Sequence, residues 1–157
     1  MKNWQRFEQL IAKRLGGVLR PGSGQFVGAK EDVITPVCLV QCKSSKNNEI
    51  RVMVEDLDNL AGHAEQESRI PVMAVARNFT YNKAQYCAII PNFMLEEERR
   101  EFMPVTAGSF LFPFDTADIE PVRVYIRSSG FDLWHKAWAI SGETLEEIHE
   151  QFMESTR

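Results

Sequence analysis

A chain of 157 residues, 44% hydrophobic and 25% charged, can bury one substantial core, so a single domain spanning residues 1–157 is expected. Its net charge of −4 excludes a protein that coats nucleic acid over its whole surface. No apolar run approaches the roughly 20 residues needed to cross a bilayer, so no membrane association is expected.

The first stretch, from Asn3 to Leu15, repeats apolar residues at helical spacing (Trp4, Phe7, Ile11, Leu15), and Gly16-Gly17 ends that helix. It is interrupted by charges and lacks the continuous apolar segment of a secretory signal. The three cysteines, Cys38, Cys42 and Cys87, form no Cys-x-x-Cys pair and read as reduced, mostly buried thiols. Both features lead to an expected cytoplasmic location. Val18-Leu19-Arg20 reads as a short strand, and Pro21 to Gln25 as an exposed loop. Asp32 to Thr35 opens a strand that Pro36 breaks, and Val37 to Lys43 forms the next one. In that second strand Val37, Leu39, Gln41 and Lys43 share one face, with Cys38, Val40 and Cys42 on the other. Both faces are largely apolar, which predicts a central strand covered on both sides.

Glu55 to Gln66 is expected to be a helix, followed by strands at Ile70–Ala76 and Gln85–Ile90. Residues 3–90 therefore read as an α/β core, a mixed sheet flanked by helices. Residues 92–157 are a C-terminal elaboration: a charged helix from Met94 to Phe102, a strand from Val122 to Arg127, and a final helix from Thr144 to Met153. Thr144 and Glu147 supply a capping-box signature for the last of these. The aromatic set Phe131, Trp134 and Trp138 is assigned to core packing before any role in base stacking.

Two residues break the local rules. A covered strand should not carry an amide and an ammonium on one face, because burying them without partners costs several kcal/mol. Gln41 and Lys43 do so, and Lys43 requires an anion. Asp32, on the preceding strand, is the nearest candidate in sequence. Glu8 on the first helix and Asp32 at a strand start are, taken alone, ordinary surface and turn residues. The histidines His63, His135 and His149 lack metal-ligand spacing.

Charge is unevenly spread. Residues 1–51 hold nine lysines and arginines against four acids, and the rest of the chain holds nine against eighteen. A polyanion would meet the N-terminal third, through Lys13, Arg14, Arg20, Gln25, Lys30 and Lys46.

The order of Glu8 on a helix, the Gly22-Ser23-Gly24 loop, Glu31-Asp32 opening one strand and Gln41-Cys42-Lys43 closing the next resembles the PD-(D/E)XK nuclease superfamily. Within it, the arrangement over roughly residues 3–90 looks most like the archaeal and phage Holliday junction resolvases. Two departures stand out. The first motif lacks its proline, and Gln41 stands where resolvases usually have Glu; Mrr-type nucleases use Gln-x-Lys. The resemblance implies a restriction-endonuclease-like fold and a metal-dependent endonuclease acting on branched or four-way DNA as a homodimer. Its implied catalytic residues are Glu8, Asp32, Gln41, Lys43 and Ser23. A Mg²⁺ or Mn²⁺ ion would be held by Asp32, Gln41 and Glu8. Two alternatives follow: an Mrr-like nuclease for duplex or modified DNA, and a module of the same fold that binds DNA without cutting it.

Overall fold

A computed structural model describes residues 3–20, 33–79, 85–98 and 102–156. The chain folds as helix α1 (Asn3–Leu15), strands β1 (Val18–Leu19), β2 (Val33–Ile34), β3 (Cys38–Ser44) and β4 (Arg51–Met53), then helix α2 (Val54–Gln66). Strands β5 (Ile70–Ala76), β6 (Cys87–Ile90), β7 (Phe102–Val105) and β8 (Ser109–Leu111) follow. The remainder is helix α3 (Phe114–Ala117), strand β9 (Val122–Ile126), helix α4 (Asp132–His135), strand β10 (Ala137–Ser141) and helix α5 (Gly142–Ser155). No helix is long and apolar enough to cross a membrane among the described residues.

Eight strands form one mixed sheet in the order β1-β2-β3-β5-β6-β10-β9-β7, and β4 pairs with β8 separately. Pairing is parallel between β3 and β5 and between β7 and β9, and antiparallel elsewhere in the large sheet. The result is the layered α/β architecture that the sequence predicts, with helices on both faces. On one face Phe7, Ile11 and Leu15 of α1 pack with Leu145 and Ile148 of α5 over Cys38, Val40, Val72 and Ala88. On the other, Leu57, Leu60 and Ala64 of α2 pack with Trp134 over Leu39, Met73, Val75 and Ile89. Alternation along each strand divides the two cores, so β3 is covered on both sides.

The α1 helix ends where Gly16 adopts a left-handed conformation, φ 66°, which costs other L-residues strain. Gly17 then returns its amide to the Ala12 carbonyl at 2.8 Å. A Cβ at Gly17 would lie 2.7 Å from the Ile34 carbonyl oxygen, so glycine here lets the chain pass close to β2.

The C-terminal third departs most from expectation. The helix predicted over Met94–Phe102 is absent among the described residues. A single 3₁₀ turn, Asn92–Met94, gives way to extended backbone at Leu95, and Phe102 begins β7. The acid-rich run after Leu95 offers no apolar stripe to bury. The Leu95 carbonyl accepts the indole N–H of Trp138 at 3.1 Å. Strands β4, β7, β8 and β10 are not predicted by the sequence. The cap of the last helix also shifts: Ser141 Oγ accepts the Thr144 N–H at 3.2 Å, placing the N-cap at Ser141 instead of Thr144. Trp134 and Trp138 are fully buried, as core packing requires. The C-terminal strands join the same sheet as β3, inserting β10 between β6 and β9.

One hydrogen bond ties the two ends of the chain. His149 Nε2 of α5 lies 2.9 Å from Thr35 Oγ1, just past β2, and both residues are buried. Thr35 Oγ1 also accepts the amides of Cys38 at 2.8 Å and Val37 at 3.3 Å. Burial holds the imidazole pKa below its ordinary value, opposed in part by the charge of Glu150. With the folded pKa depressed, stability is fully present above the unfolded value of about 6.5. It is lost as pH falls below that value, where only the unfolded chain takes up the proton. Melting temperature should therefore drop more steeply from about pH 7.5 to 5 in the wild type than in His149→Gln. Parallel pH profiles from thermal melts would remove His149 as the cause.

Candidate active site on strand β3

Gln41 and Lys43 lie on the α2 side of β3, the face shared by Leu39. Parallel register sets Gln41 beside Met73 and Lys43 beside Val75 of β5, so apolar side chains flank both. Gln41 is buried at 4% exposure. The Lys43 ammonium meets a carboxylate: its Nζ donates to Asp56 Oδ2 at 2.6 Å. Asp56 lies in the first turn of α2, with its side chain 12% exposed against 27% for Lys43.

The anion that Lys43 demands is thus supplied, among the described residues, by Asp56. The sequence nominates Asp32, which lies outside the described residues. So do Ser23, Gln25 and Lys30. Val33, the chain neighbour of Asp32, is paired with Val40, the chain neighbour of Gln41. The sequence does not single out Asp56, because Glu55-Asp56 looks like the ordinary acidic first turn of a helix. Only the packing of α2 against β3 joins residues thirteen positions apart.

Glu8 is buried at 6% and has a partner of its own. It belongs to α1, whose packed residues cover the opposite face of the sheet from Gln41 and Lys43. The structure therefore brings Gln41 and Lys43 together, adds Asp56, and sets Glu8 in the other layer. Among the described residues no group of three or more His, Cys, Asp or Glu side chains is arranged to hold a metal ion. The donors available at Gln41 and Asp56 are oxygens, the preference of Mg²⁺ and Mn²⁺ over softer ions.

The basic residues divide by environment. Lys13, Arg14 and Lys46 are exposed. Arg14 has a loose contact to Glu146 at 3.8 Å. Arg20 is committed: one of its terminal nitrogens reaches both oxygens of Glu67, at 2.6 and 2.8 Å. Arg69 adds a bond to Glu67 at 3.4 Å and another to the Thr35 carbonyl at 2.9 Å. This cluster pins the end of β1 to the end of α2. All three cysteines are free, and burial pushes the Cys38 thiol up to about 12, against a smaller opposing effect of the Thr35 hydrogen bond. A thiol so raised is protonated and inert.

No family model matches the chain, and no curated protein matches it. Among solved structures, Hjc of Archaeoglobus fulgidus, a Holliday junction resolvase from an archaeal hyperthermophile, superposes with a TM-score of 0.43 at 15% identity. The superposition covers 62% of this chain and 80% of that one.

The two classes of basic residue should separate in a stability measurement. Arg20→Glu should cost about 1–2 kcal/mol, through loss of the Glu67 pair and new repulsion. Lys13→Glu and Lys46→Glu should stay within about 0.5 kcal/mol of wild type. Urea denaturation reads both, and Arg20→Glu combined with Glu67→Arg should recover part of the loss.

Proposed function

We propose that the chain is a Mg²⁺- or Mn²⁺-dependent endonuclease of the Holliday junction resolvase type, hydrolysing phosphodiester bonds in branched DNA as a homodimer in the cytoplasm. The observation that carries this reading is the polar pair Gln41 and Lys43 on a strand face otherwise lined by Leu39, Met73 and Val75. An amide and an ammonium there serve no packing purpose, and they are the residue types that phosphate chemistry uses.

In the proposed site Asp32 is the main ligand of the cation, and Gln41 contributes a neutral amide oxygen. Glu8, in the opposite layer, stands outside this ligand set. A bound divalent cation supplies polarisation of the phosphate and a lowered pKa for its water. Lys43 has three ammonium protons and spends one on Asp56, leaving two for the oxygens of a phosphate as charge builds on them. Ser23 contacts the scissile phosphate. Lys13, Arg14 and Lys46, exposed as they are, contact flanking phosphates together with Gln25 and Lys30. Arg20 is held by Glu67 and is not counted among these contacts.

Asp32→Asn and Lys43→Ala should each abolish nicking of a four-way junction while DNA binding stays near wild type; Lys43→Ala should also lower the melting temperature, because it leaves Asp56 without its ammonium. Retained cleavage in either folded variant would overturn the assignment. Gln41→Glu should keep or raise the nicking rate at limiting Mg²⁺, since an added carboxylate tightens binding of a hard cation. A wild type inert at every Mg²⁺ and Mn²⁺ concentration would instead identify a binding module without catalysis. Equal cutting of duplex and junction would favour the Mrr-like alternative.

Binding should weaken steeply with salt despite the acidic composition. Charge reversal of Lys13 and Lys46 together should flatten the slope of log K against log salt by about one unit for each phosphate no longer engaged. An unchanged slope in a fluorescence-anisotropy titration would exclude these two residues from the interface.

A further inference from the structure

We propose that Asp56 is a positioning residue for Lys43: a carboxylate on α2 that fixes where the ammonium of β3 sits and how far it reaches toward a phosphate. The proposal rests on the nuclease reading above and adds a residue that belongs to none of its motifs.

Four structural features carry it. The Nζ–Oδ2 distance of 2.6 Å is that of a charge-assisted hydrogen bond. The carboxylate is the less exposed partner, its side chain 12% exposed against 27% for Lys43. The anchor also sits on a well-packed part of the helix. Asp56 is followed by Leu57, fully buried, and the Leu57 carbonyl accepts the indole N–H of buried Trp134 at 2.8 Å. Finally, Asp56 lies in the first turn of α2, where the helix dipole favours a negative charge.

A lysine ammonium ends a flexible four-carbon stem and, untethered, samples many positions. Holding it to a helix removes that freedom before substrate arrives, which is how positioning lowers a barrier. Stability does not account for the pair. Partly buried ion pairs seldom outperform apolar residues of equal volume, and apolar residues fill the surrounding positions Leu39, Met73 and Val75. The tether also has a cost in binding, because Asp56 places a negative charge beside the cation that must attract DNA. Positioning and attraction are therefore opposed at this residue, and that opposition distinguishes a positioning role from a merely structural one.

The test uses the full chain with Asp56→Asn and Asp56→Glu. The readouts are single-turnover nicking of a four-way junction, junction affinity, Mg²⁺ half-saturation, and the NMR order parameter of the Lys43 ammonium. In Asp56→Asn the rate should fall about 100-fold, the effect of a misplacement of roughly 1 Å. Affinity should be unchanged or tighter, Mg²⁺ half-saturation unchanged, and the ammonium order parameter lower. Asp56→Glu keeps the charge but moves the anchor by about one bond length, so it should keep an ordered ammonium and lose about 10-fold in rate. This variant decides the matter if Asp56→Asn does not fold.

An unchanged rate in either variant at equal stability overturns the proposal. So does a rate and an affinity that fall together, which marks a structural role. A rate restored by excess Mg²⁺ overturns it in favour of Asp56 as a cation ligand. If the wild type does not nick, the nuclease reading falls. The order parameter then still tests the tether, and an ammonium equally ordered in wild type and Asp56→Asn refutes it.

Discussion

A strand covered on both faces can carry an ammonium only if a neighbouring element brings a carboxylate to it, and this requirement organises the structure around β3. Burying Lys43 without an anion would cost several kcal/mol. Asp56 meets it from α2, which fixes the rotation of that helix as well as its distance from the sheet. The same rotation turns Leu57, Leu60 and Ala64 onto Leu39, Met73 and Val75. One polar contact and the apolar core of that face are therefore met by the same orientation of α2.

The C-terminal residues complete this arrangement. Strand β10 inserts beside β6, and α5 covers the same face as α1. The bond between His149 and Thr35 and that between Trp138 and Leu95 both join segments far apart in sequence. Each satisfies a polar group that burial would otherwise leave unpaired, which is why such bonds recur where elements meet. Thr35 is the pivotal case. Its single oxygen receives the two amides that turn the chain from β2 into β3, and its hydroxyl holds α5. The turn that precedes Gln41 and Lys43 is thereby supported from the far end of the chain.

Charge is handled in the same local way. The N-terminal third is basic in sequence, yet Arg20 is neutralised by Glu67 and Lys43 by Asp56, both from the acidic remainder. What remains exposed is a smaller set, with Lys13, Arg14 and Lys46 among it. A surplus counted along the chain overstates the positive charge available to a polyanion whenever folding supplies partners of opposite sign.

The sequence by itself determined the elements whose periodicity is local. The stripe of Phe7, Ile11 and Leu15, the alternation from Val37 to Lys43 and the helix ending at Gln66 all appear where their spacing predicts. It also exposed Gln41 and Lys43, because polar residues on a covered strand are anomalous without knowledge of any neighbour. Tertiary structure decided the rest. The acid-rich run after Met94 has helical composition, but Leu95 is extended and its carbonyl accepts the indole N–H of Trp138, a contact far away in sequence. Ala137–Ser141 is strand only because β6 and β9 flank it. Asp56 reads as a routine helix-start acid until α2 docks on β3. Periodicity is a property of neighbours in the chain, whereas a hydrogen-bond partner or an ion pair depends on which surfaces meet, and that is fixed only when the whole core closes.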